Sequence, residues 1–68
     1  MNLKEAIEKA VRERNPILAG RVADFCWFRL GWNYQKTFDE VFAITGIDLP
    51  AWDELLYEAD WEVGRTRS

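Results

Sequence analysis

Cys26 is the single cysteine of this 68-residue chain, and there is no histidine. Nucleophilic or general acid–base catalysis needs a reacting group with a positioned base beside it, usually in a cleft. Paired carboxylates such as Asp53 and Glu54 are sequence neighbours on what reads as an exposed helix, so nothing encloses them. A metal site would have to combine Cys26 with carboxylates, a poor donor set for zinc. One thiol cannot form an internal disulfide, which suits a reducing compartment. The expectation is a protein with no catalytic residues, no cofactor and no metal site.

Recognition chemistry is better represented. Residues 37–64 hold eight acids and no base, whereas residues 1–36 hold seven bases and four acids. The net charge of −3 therefore conceals an electrically polar molecule. On a helical wheel at about 100° per residue, Trp52, Leu55, Leu56, Ala59 and Val63 share one side of a helix. Asp53, Glu54, Tyr57, Glu58 and Trp61 fall on the other, with Glu62 beside them. Two large aromatics four residues apart thus stand among carboxylates. Either Trp61 folds back over the helix end, or this face binds something. Tyr and Trp are enriched among residues that anchor interfaces, and an acidic field steers a cationic partner. The second reading makes Asp53, Glu54, Tyr57, Glu58, Trp61 and Glu62 a docking surface for a basic protein, such as part of a nucleic-acid-binding machine.

The basic half poses the opposite case. Arg12, Arg14, Arg21, Arg29 and Lys36 would bind phosphates if clustered, which keeps a nucleic-acid-binding regulator as the second choice. Helical spacing scatters Arg12 and Arg14, and Glu8, Glu13 and Asp24 lie nearby. A third reading is a homodimeric piece of a larger assembly, because small domains often complete a core by association.

The elements that position these residues read as four helices. Leu3, Ala6, Ile7, Ala10 and Val11 form one helical stripe, supported by Glu5–Lys9 and Glu8–Arg12 pairs. Asn15–Pro16 stops it. Residues 17–30 are apolar nearly all round and read as a central hub, ended by Gly31. Within the hub, Phe25 and Cys26 are assigned with Val22 to the main buried side. Trp27 and Phe28 point away, to be covered by the first helix, the fourth helix or a second copy. Residues 32–36 read as a connector. Thr37 and Glu40 have the spacing of a capping box, opening a third helix with Phe38, Val41, Phe42 and Thr45 on one face. Gly46 closes it, and Pro50 stands near the start of the fourth. Residues 1–63 form the domain, and residues 64–68 read as a flexible tail.

The last two helices, residues 37–59, resemble the helix-turn-helix of sigma-factor region four. Phe38 matches the aromatic after the cap, Gly46 the turn glycine eight residues on, and Ile47 the isoleucine that follows. Trp52 and Leu56 match the buried positions of the second helix. Two positions depart from that family. Phe42 stands where a small residue permits close helix crossing. The second helix carries Asp48, Asp53, Glu54, Glu58, Asp60 and Glu62 where DNA-binding members present bases and amides. Six negative charges would be repelled by a duplex whose affinity for proteins comes from released cations. The resemblance therefore implies the scaffold and not the ligand.

No apolar run approaches the ~20 residues of a membrane span, and the charged start lacks a signal-peptide core. The expected molecule is cytoplasmic, all-α and compact, with four helices and a helix-turn-helix-like C-terminal pair. It acts as a small interaction or regulatory protein, and it resembles the small phage-encoded proteins that modify a larger machine.

Overall fold

An Asx side chain closes the first turn of each helix in the same way. Asn2 accepts from the Glu5 amide (2.8 Å), Asn15 from Leu18 (3.1 Å), Asn33 from Lys36 (2.8 Å) and Asp48 from Ala51 (3.0 Å). Each such cap satisfies a backbone donor that the helix itself cannot, and contributes about 1 kcal/mol. The helices they open are α1 (Leu3–Arg12), α2 (Pro16–Phe28), α3 (Tyr34–Thr45) and α4 (Leu49–Arg67). The computed structural model describes the backbone of residues 2–67 and the side chains of residues 2–59. Among the described residues there is no strand.

The connections are short and locally determined. Arg14 ends α1 with φ 49°, in the left-handed region that glycine usually fills. Its amide donates to Val11 and that of Asn15 to Ala10. An arginine in that conformation costs roughly 1–2 kcal/mol. Asn15 then caps α2 and Pro16 supplies its first residue. Gly46 has φ 73° and caps α3, its amide donating to Phe42 at 2.8 Å.

The third helix starts earlier than its sequence suggests. Asn33 is the cap and Tyr34–Lys36 are already helical, so residues 32–36 are not a connector and Thr37 and Glu40 form no capping box. Thr37 lies inside the helix, buried, with its hydroxyl donating to the Asn33 carbonyl at 2.9 Å. Glu40 pairs instead with Lys36, 2.9 Å away. Either Asn33 or Thr37 can serve as a cap. Asn33 prevails in a start that also places Lys36 over the Trp32 ring, 5.2 Å from its centre.

The core is built from one stripe of each helix: Ile7 and Ala10, then Ala19, Val22 and Cys26, then Val41, then Trp52 and Leu55. The α2 helix is the hub. It packs most extensively against α4, then against α1, and more lightly against α3. The α3–α4 contact is slight. The turn at Gly46–Asp48 thus joins two helices that meet chiefly through the hub.

Small residues mark the close crossing between α2 and α4. A Cβ added at Gly20 would stand 3.0 Å from the Ala59 Cβ. Phe42 takes no part in a close crossing and is 54% exposed. Phe25 is also displaced from the expected buried side. Val22 and Cys26 are buried, but Phe25 sits about 60° round the wheel from Val22 and about 100° from Cys26, and it is exposed at the α1–α2 edge. The Cα radius of gyration, 11.3 Å, is close to the ~11 Å typical of a folded chain this long.

Candidate protein-binding face

The α4 helix divides as its wheel dictates. Trp52, Leu55 and Ala59 are buried, and Leu56 packs partly against the core. On the opposite side Asp53, Glu54 and Glu58 are exposed, and Tyr57 between them is 73% exposed. Helix geometry puts Tyr57 one turn from Asp53 and three residues from Glu54. No ion pair or hydrogen bond involves these three carboxylates among the described residues. They form an unneutralised negative rim round an aromatic ring. Trp61 and Glu62, the other two residues assigned to this surface, lie outside the described residues, as does Val63.

The basic candidates do not converge. Arg12 ends α1 and lies 3.9 Å from Glu13. Arg14 occupies the following turn, and Arg29 caps the far end of α2. At 1.5 Å rise per residue, Arg14 and Arg29 stand roughly 20 Å apart along that helix. Arg21 lies between them on its exposed face. Lys36 is engaged by Glu40 and by the Trp32 ring. Arg21 shares a shallow cleft with Lys9 beside Asn15, so the cations are distributed over the α1–α2 turn, the outer face of α2 and the start of α3.

Cys26 is fully buried. Burial pushes its thiol up; a hydrogen bond with Thr37 works against this, and the Glu40 charge adds to it. Among the described residues no group of three or more metal-ligating side chains occurs. A raised folded value means that the folded chain holds its thiol proton after the unfolded chain, whose thiol ionises near pH ~8.5, has lost it. Stability from this group is thus complete below that value and declines as pH rises through the folded one. Between about pH 8.5 and 10, Cys26→Ala should show a shallower alkaline loss of melting temperature than the parent chain. At neutral pH an aromatic disulfide reagent should modify the native thiol at the rate of unfolding. Immediate modification would contradict the burial.

No described helix is long and apolar enough to cross a membrane. Comparison with family models, with curated proteins and with solved structures finds no match to this chain.

Trp27 and Phe28 point away from the buried side of α2, as their spacing predicts. Trp27 (59%) and Phe28 (76%) are covered by neither α1 nor α4. Both fall within the stretch "FCWFRLGWNY", whose density of rings suggests core. Arg21 and Asp24 share the wheel sector of Phe28, which marks that side of the helix as solvent-facing.

Proposed function

We propose that this protein is a small non-enzymatic adaptor or regulator that docks onto a basic protein surface through α4. Tyr57 anchors the contact, and Asp53, Glu54 and Glu58 steer it. The observation that carries the reading is the 73% exposure of Tyr57 amid three exposed carboxylates that have no cationic partner among the described residues. A ring so placed adds little to folding and is available to a partner. An aromatic anchor within a charged rim is the pattern of an interface in which apolar contact supplies affinity and charge supplies approach rate.

The partner is a protein with a cationic groove, such as a nucleic-acid-binding subunit. The test compares the chain with Tyr57→Ala and with Asp53→Asn/Glu54→Gln/Glu58→Gln, using partners captured from the native host. Tyr57→Ala should weaken the complex by about 2 kcal/mol, a hot-spot cost, and leave the melting temperature unchanged. The triple neutralisation should slow association and flatten its salt dependence. A chain that instead binds duplex DNA or heparin at low salt, with affinity falling steeply as salt rises, would overturn the proposal.

A further inference from the structure

The outer face of α2 is the other unusual surface. Ile17, Arg21, Asp24 and Phe28 are all exposed. Their spacing of four, three and four residues confines them to a stripe about 60° wide, the spacing of a helix–helix seam. Phe25 and Trp27, 45% and 59% exposed, flank the stripe on either side. Taken with Ile17 and Phe28, their uncovered parts amount to roughly 400–500 Å² of apolar surface. Summed over these four residues, that matches the largest apolar patch of a typical monomer, a size that often marks an interaction site, and is about half of what each partner contributes to a standard interface. Neither Arg21 nor Asp24 forms an ion pair among the described residues.

We propose that α2 pairs with α2 of a second copy of this chain, antiparallel about a two-fold axis passing between Arg21 and Asp24. The occupant follows from the order of residues along the stripe. A two-fold at that point sets Ile17 opposite the second copy's Phe28, and Arg21 opposite its Asp24. Both pairs recur by symmetry, as an isologous contact requires. The end residues are apolar and the central ones opposite in charge, so this stripe complements itself only when antiparallel. A parallel pairing would place Arg21 on Arg21 and Asp24 on Asp24. The same axis brings each Phe25 level with position 20 of the other copy. There it lies over the groove of about 350 Å³ lined by Leu3, Ala6, Leu18 and Val22. The aromatic residues supply the affinity, and the charge pairs select direction and register. This face is separate from the α4 surface and does not depend on its reading.

Sedimentation equilibrium of the full chain between roughly 1 μM and 1 mM tests the pairing. The unaltered chain should reach dimer mass within that range. Arg21→Asp makes the stripe wholly acidic at its centre and Asp24→Arg makes it wholly basic. Each variant alone should associate at least about tenfold more weakly. An equimolar mixture of the two should recover dimers, because each altered residue then meets an opposite charge. Circular dichroism checks that both variants keep their helices, as two exposed positions should permit. Phe28→Ala should weaken association without regard to charge. A chain monomeric throughout the range, charge reversals without effect, or single losses not restored by mixing would each overturn the proposal.

Discussion

Trp52→Ala is expected to leave the domain at the edge of unfolding. Trp52 is the largest fully buried side chain, at 0% exposure. It stands in α4 beside Ala23 of α2 and Thr37 of α3, where the hub meets both later helices. Truncating a buried tryptophan to alanine typically costs 3–5 kcal/mol, because the cavity cannot collapse completely. A domain of this length has a total stability of roughly 3–10 kcal/mol. The melting temperature should therefore fall by at least about 12 °C, measured by circular dichroism at 222 nm. The indole nitrogen of Trp52 has no hydrogen-bond partner among the described residues. Trp52→Phe removes that unsatisfied donor as well as some volume, and should cost less than half as much as alanine. Equal losses for phenylalanine and alanine would show that the ring is not packed as described.

Gly20 carries the second large effect. Here α2 and α4 approach so closely that an added Cβ would meet Ala59 at 3.0 Å. Gly20→Ala gains about 1 kcal/mol of helix propensity, against strain from a contact a few tenths of an ångström too short. The net change should be close to zero. Gly20→Val adds two further methyl groups at the crossing and should separate the helices. Overpacking of this kind costs about 1–3 kcal/mol, and occasionally more. Ala59→Gly introduced with Gly20→Val should restore part of the loss, a coupling that chemical denaturation of the four chains in the cycle would measure. Additive effects would mean that the two positions do not touch.

The α1 stripe, the stop at Asn15–Pro16 and the buried side of α4 are all legible in the sequence. In each, a strong helical period coincides with an unambiguous boundary residue. The hub was legible too, because a helix apolar nearly all round must be touched on several sides. The start of α3 was not, since two capping residues four positions apart both offer a valid first turn. The exposure of Phe25 is not legible, because a wheel locates the centre of a buried sector better than its edges, and Phe42 lies at the edge of its own face. The preference of α4 for α2 over its sequence neighbour α3 was also hidden. It rests on Gly20 and Ala59, whose complementarity appears only once the helices are brought together. On the α4 face, charge and aromatic placement were readable from spacing alone, and exposure of Tyr57 follows from it.

The preference of α2 for α4 has a kinetic consequence. Pairings of α1 with α2 and of α2 with α3 close short loops, which form quickly and cost little entropy. Docking α4 onto the hub must span the whole intervening helix, so it belongs to the late part of folding. During biosynthesis, the flank of α2 that carries Gly20 waits, uncovered, until residue 59 has left the ribosome.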